Sequence, residues 1–318
     1  MHWRPLVKTW PVAVGTAAVA GLALAACAAL SPAAGPVVRD DATLQRALED
    51  ARAEFLAGRD FDRLDVTVLL ADADGSWRRA SVGGRESWYP ASCVKLAFAV
   101  AAVHWCESKG GPADCLDASV LPMLRDSDNV ATGFVVDAIT ETVNGPVAGA
   151  DYDAWFGRRL YTERLLDRHG LLDGQRFVNK TYPTNSGEEP AGLEALARER
   201  HGRNAMHADG GARLMLALVT DAFGKRARDY VRERLRRPRQ SPNSSMGGGF
   251  PEGTLYESKI GDAYDTLAEI VHAELPDGRR IIISAFSNAR DPDGPDQQDL
   301  TALAGFSKRL LDRLPAGD

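Results

Sequence analysis

The sequence predicts an α/β fold of the α+β kind: one antiparallel five-stranded sheet flanked by helices, with a separate all-helical lobe. Two observations carry this. Two strand signals stand near the start of the folded region and three near its end, and the stretch between them is helical, broken by one long irregular segment. A sheet made from both chain ends leaves the middle as its own lobe, with a site in the cleft between.

The first 26 residues lie outside that fold. Arg4 and Lys8 give a positive start, Pro11 to Ala26 is apolar, and Leu24-Ala25-Ala26-Cys27 reads as a lipoprotein signal that lipidates Cys27. An ordinary secretory signal and an uncleaved anchor are the competing readings. All three export the domain, and the first anchors it to the membrane, facing the periplasm. Residues 27–40 read as a tether, rich in Pro, Ala and Gly from Ser31 onward. The domain then runs over 41–318, with a sheet lobe at about 41–90 and 250–318 and a helical lobe at about 91–249.

Within the domain, Asp41 to about Ala57 reads as a helix with Leu44, Leu48, Phe55 and Leu56 on its apolar stripe. Asp65 to Ala73 reads as a buried strand, and Trp77 to Val82 as its hairpin partner across Asp74-Gly75. Tyr89-Pro90-Ala91 leads into a strongly apolar helix from Ser92 to about Glu107. Further helices begin at Asp128, span roughly Tyr152 to His169, and span Asp209 to Thr220. Leu171 to Gly192 is the long irregular loop. Lys225 to Gln240 carries eight Lys/Arg against two acidic residues, which reads as a solvated helix face, with contact to anionic polymer or lipid head groups as the sharper alternative. Ser241 to Gly249 reads as a flexible linker. Strands at Thr254–Gly261, Thr266–Leu275 and Arg279–Ser287 follow, the last two joined over Pro276-Asp277-Gly278, and a helix from about Gln297 to Leu314 closes the chain.

Composition bounds the partners. A net charge of −6 argues against nucleic acid. Cys106 and Cys115 flank a Gly-Gly-Pro loop, where a disulfide is sterically feasible in an exported protein, and Cys93 reads as a small buried hydrophobe. No Cys/His set has zinc spacing, so neither metal nor cofactor is implied.

Chemistry enters with Ser92-Cys93-Val94-Lys95. Three residues apart on a helix, the hydroxyl and the amine share one face. Serine needs an adjacent base, and a lysine serves if burial lowers its pKa. About one Ser-x-x-Lys is expected by chance in such a chain, so the motif alone is weak. Ser127-Asp128-Asn129 is much rarer, although its residue types also suit a helix cap. Lys259-Ile260-Gly261 ends a strand, where backbone can approach a ligand closely.

In that order, these motifs resemble the penicillin-recognising serine hydrolases. Tyr89-Pro90-Ala91-Ser92-Cys93-Val94-Lys95-Leu96 and Leu124-Arg125-Asp126-Ser127-Asp128-Asn129-Val130-Ala131-Thr132 are similar to the class A β-lactamase branch, with an insertion near Thr142 to Leu160. The resemblance implies a β-lactamase/transpeptidase-like fold and a monomer that takes a β-lactam or peptidoglycan-like small substrate. By it, Ser92 is the nucleophile, Lys95 moves its proton, Ser127 passes a proton to the leaving nitrogen, Asn129 holds a substrate amide, and Lys259 adds positive charge. The N–H groups of Ser92 and Asp262 form the oxyanion hole.

Two departures qualify the activity. Tyr182 stands where the family's deacylating glutamate is expected, and Glu188 and Glu189 are nearby substitutes. Glu163 also mimics part of that motif but reads as a surface charge. Ile260 replaces a hydroxyl residue and Asp262 follows at the oxyanion position, which points to a neutral or cationic substrate group rather than an anionic one. A D-alanyl-D-alanine peptidase-like amidase or esterase, or a non-catalytic binder of cell-wall fragments, are therefore the alternatives to a β-lactamase.

Overall fold

The computed structural model describes residues 35–57, 61–180, 190–242, 244–289 and 303–314. In chain order the sheet and the site are built by β1 (Val38–Asp40), α1 (Ala42–Ala57), β2 (Phe61–Ala71), β3 (Trp77–Val82), a 3₁₀ turn (Ala91–Val94), α2 (Lys95–Ser108), α3 (Asp117–Arg125) and α4 (Asn129–Thr140). Then come α5 (Tyr152–Arg159), α6 (Tyr161–Arg168), α7 (Gly192–His201), α8 (Ala208–Val219), α9 (Lys225–Leu235), β4 (Leu255–Ala263), β5 (Thr266–Glu274), β6 (Arg280–Ala289) and α10 (Leu303–Arg313).

The sheet order is β1-β3-β2-β6-β5-β4, antiparallel except where β1 pairs parallel with β3. It therefore has six strands rather than the five expected: Val38–Asp40, read as tether, pairs with Trp77–Arg79. Both chain ends supply strands, as the sequence predicts, because β2 pairs directly with β6. Alternation along β2 explains the layering. Leu64, Val66, Val68 and Leu70 join α1 and α10 in one core, while Leu69 faces the core of the helical side. On that second side α2 is apolar all round, and Leu96 through Val103 are buried without exception.

Several segments differ from expectation for identifiable reasons. The helix expected over Tyr152–His169 breaks at Leu160, and Arg159 points inward to Asp137 (2.9 Å) and Glu194. α3 was not anticipated; it is a nine-residue helix that accommodates Pro122 in its interior. α7 was also missed; its stripe is only Leu193 and Ala197, which pack on Trp155. Residues 244–249 are no flexible linker. Ser244, Ser245, Met246 and Gly247 are buried, and the Ser245 and Met246 N–H groups donate to Glu269 at 2.8 and 2.7 Å. The basic run is only partly solvated. Arg232 and Arg236 pair with Glu257, which is fully buried, and Arg234 pairs with Asp117. Residues 297–302 of the expected last helix and the whole amino-terminal signal, Cys27 included, lie outside the described residues.

Candidate active site

Three chain segments meet at the free edge of β4. The first is the turn carrying Ser92. Trp88 anchors it, exchanging two backbone bonds with Met206 and donating its indole N–H to Asp65 at 2.9 Å. Ala91 then takes a φ of +44°, a conformation an alanine adopts only under constraint. The chain turns sharply there, and Ser92 emerges half-buried at the start of a helical run.

The second segment is Ser127-Asp128-Asn129. The Pro122 carbonyl accepts from both Asp126 N–H (3.0 Å) and Asp128 N–H (3.2 Å), closing a tight turn at the end of α3. Ser127 sits in it at φ +58°. Asp128 caps α4, its carboxylate accepting Ala131 N–H at 2.7 Å. The cap reading and the site reading thus apply to different residues of one motif: Asp128 caps, and its neighbours face inward.

The third is β4 itself. Arg237 N–H donates to Tyr256 O across the strand's outer edge, so even-numbered residues of β4 direct their N–H and C=O groups away from β5. Asp262 N–H is among them. Gly261 lies against the Ser92 turn: a Cβ there would stand 3.0 Å from Ser92 N and 2.6 Å from Pro90 O. The Ser92 and Asp262 amides are therefore close neighbours.

Two lysines converge on one hydroxyl. Lys95, fully buried, donates to Ser127 O at 2.6 Å and Asn129 Oδ1 at 2.7 Å, and lies 3.3 Å from Ser127 Oγ. Lys259, also fully buried, donates to Ser127 Oγ and Ile260 O, each at 2.8 Å. Burial first, and the Lys259 ammonium second, hold Lys95 well below the ordinary lysine range. Burial and then the Arg237 guanidinium bring Lys259 down to about 7. A neutral lysine has two N–H donors and one lone pair. Two of the Lys95 N–H donors are aimed at carbonyl oxygens, and in its neutral form the remaining position is the lone pair, turned toward Ser127 Oγ. Its described hydrogen bonds go to Ser127 and Asn129 rather than to Ser92.

Ser92, Lys95, Ser127, Asn129, Lys259 and Asp262 are thus brought together. Asp262 is exposed, and partial desolvation raises its carboxyl against the pull of Lys259 and Lys95. Ile260 does not face the cleft; it is buried in the core on the α1 side. Tyr182, Glu188 and Glu189 lie outside the described residues. The loop expected at Leu171–Gly192 closes later: Arg176 and Ala205 exchange two backbone bonds, with α7 inside the loop. Glu163 is no surface charge, since its carboxylate accepts Phe177 N–H at 3.0 Å beside that neck. Cys106 and Cys115 are bonded, with Cα atoms 5.8 Å apart, and Cys93 is buried with its thiol donating to Lys259 O. Arg237 is the residue that sequence reasoning missed, hidden within a basic run. Among the described residues no three His, Cys, Asp or Glu side chains gather as a metal site.

A model described as the Beta-lactamase enzyme family matches residues 120–314. The chain belongs to that family. The matched span includes Ser127, Asn129 and Lys259 and begins after Ser92 and Lys95. Among solved structures, PBP-A aligns with a TM-score of 0.58 at 16% identity, over 88% of this chain and 99% of that one. A β-lactamase from Sphaerobacter thermophilus gives 0.57 at 16% identity, over 83% and 96%. An ancestral class A β-lactamase gives 0.58 at 17% identity, over 84% and 100%. These likenesses establish a β-lactamase-type fold. Golvesin of Dictyostelium discoideum is 29% identical over 283 residues, 86% of this chain. The chain spans about half the length of that curated relative.

Proposed function

We propose that the protein is a serine acyl-enzyme hydrolase acting on a β-lactam or a related cyclic or peptide amide. The observation that carries this reading is the placement of Ser127 Oγ within reach of two buried amines, Lys95 and Lys259. In the proposed cycle, Ser92 Oγ forms a bond to the carbonyl carbon as its proton passes to neutral Lys95. The oxyanion is held by the Ser92 and Asp262 N–H groups. The carbon–nitrogen bond then breaks. Ser127 gives its proton to the leaving nitrogen and recovers one from Lys95, which resets the amine. Lys259 as ammonium steadies the Ser127 oxygen throughout. Water subsequently adds to the ester carbon, releasing the acid and returning Ser92 to its hydroxyl form.

Intact-mass measurement over time, with a fluorophosphonate and with benzylpenicillin, tests this. Wild type should gain one adduct and Ser92→Ala none. Equal labelling of the variant would refute the assignment. A penicillin adduct that persists indicates a peptidase-like enzyme; one that clears within seconds indicates a β-lactamase.

A further inference from the structure

The two oxyanion amides belong to separate pieces of chain, the Ser92 turn and the end of β4. Gly261 fixes their approach on one side, where a Cβ would meet Pro90 O and Ser92 N. The other side is closed by three side chains that the proposed cycle does not use. Tyr89 lies three residues before Ser92, and Tyr264 two residues after Asp262. Their ring centroids are 5.8 Å apart. The Arg203 guanidinium sits 5.3 Å over Tyr89 and 4.6 Å over Tyr264, within cation–π range of both. Burial first, and Tyr264 second, hold the Tyr89 phenol above its usual range, so the guanidinium meets a neutral ring.

Arg203 comes from a segment that is itself fastened. Met206 and Trp88 exchange two backbone bonds, Ala205 and Arg176 exchange two more, and Asn204 Nδ2 donates to Asn179 O at 2.8 Å. The bridge that anchors the Ser92 turn therefore also holds Arg203 beside Tyr89. The Tyr264 side is built differently. Ala263 pairs with Thr266, so Tyr264 and Asp265 form a two-residue hairpin loop. Tyr264 takes φ +59° at its first position, where glycine is the usual residue. Local propensity gives no reason for a tyrosine there. Its ring, 48% exposed, is placed by its contacts with Arg203 and Tyr89.

We propose that Arg203 is a positioning residue: by bridging the Tyr89 and Tyr264 faces it ties the β4–β5 turn to the Ser92 turn, and so sets the separation of the Ser92 and Asp262 N–H groups. This rests on the serine-hydrolase reading above. Arg203 acts through those amides rather than on the substrate.

The test follows fluorophosphonate acylation of Ser92 over a series of probe concentrations, which separates the maximal rate from the half-saturating concentration. A loosened oxyanion hole lowers the first and spares the second, because the oxyanion develops only in the transition state. Arg203→Met removes the charge and keeps the length of the side chain. It should lower the maximal rate by about tenfold, less than a full ångström of misplacement would, with the half-saturating concentration within about twofold of wild type. Tyr264→Gly removes the ring from a turn where glycine fits and should lose as much. Tyr264→Phe keeps the ring face and should match wild type. The double variant Arg203→Met, Tyr264→Gly should be no slower than either single one, since both break the same clamp. A maximal rate in Arg203→Met within about twofold of wild type overturns the proposal, as do single losses that multiply in the double variant or a loss confined to the half-saturating concentration. Labelling that survives in Ser92→Ala overturns the serine reading instead. Circular dichroism checks the fold of each variant. If Arg203→Met does not fold, Tyr264→Gly against Tyr264→Phe decides: equal maximal rates in the two refute the clamp, and a slower glycine variant supports it.

Discussion

Replacing Gly261 with alanine adds one methyl group where β4 meets the Ser92 turn. The new Cβ would lie 2.6 Å from Pro90 O, 2.9 Å from Cys93 N and 3.0 Å from Ser92 N, all inside the 3.4 Å of ordinary contact. All three neighbours are backbone, so no side chain can rotate aside. Relief requires the strand and the turn to separate, by about 0.8 Å if the overlap at Pro90 O is removed completely. Overpacking of this kind costs about 1–3 kcal/mol, which the paired strands of the sheet can absorb. The same displacement pulls the Asp262 N–H away from the Ser92 N–H, and a misplacement of about 1 Å costs on the order of 10²-fold in rate. Gly261→Ala should therefore stay folded by circular dichroism while its acylation rate with a fluorophosphonate falls by about 10²-fold. Gly157→Ala is the control, because a Cβ there meets nothing within 4 Å. If Gly261→Ala acylates within about threefold of wild type, the close approach of β4 does not set the spacing of the two amides.

Two further outcomes follow from the buried charges. Lys259 is held to about 7 by burial and by Arg237, so acylation should fall as pH rises through that value; Lys259→Arg should carry activity to higher pH, and a pH profile identical to wild type would count against the role. Stability moves the opposite way: between about 7 and 10.5 the unfolded chain binds this proton and the folded one does not, so Lys259 makes the fold more stable as pH rises across that range. Arg159 is buried and paired with Asp137 and Glu194, the latter only 1% exposed. Arg159→Met leaves that carboxylate without its partner and should cost about 3–5 kcal/mol in urea denaturation. A loss under about 1 kcal/mol would mean that the network relaxes around the gap.

The sequence alone determined the elements and motifs whose signals are local. Trp77 to Val82 follows the Asp74-Gly75 turn as the hairpin partner of a buried strand, and its bounds were legible to the residue. Ser-x-x-Lys, Ser-Asp-Asn and Lys-x-Gly were legible because each is set by spacing along one turn or strand end. The descent of both chain ends into one sheet followed from where the strand signals stood. Tertiary structure decided everything that depends on residues far apart in the chain. Ser241 to Gly249 has the composition of a linker, and only Glu269, reached from β5, turns its amides inward. The charge of Arg232 looks solvent-bound until Glu257 is placed beside it. α7 has too narrow an apolar stripe to announce itself and forms against Trp155 of a distant insertion. Composition likewise gave no means of knowing that Gly261 abuts Pro90, or that Lys95 and Lys259, 164 positions apart, share Ser127 Oγ. Local propensity encodes which element forms; the burial and desolvation that tune the site arise only when the elements pack.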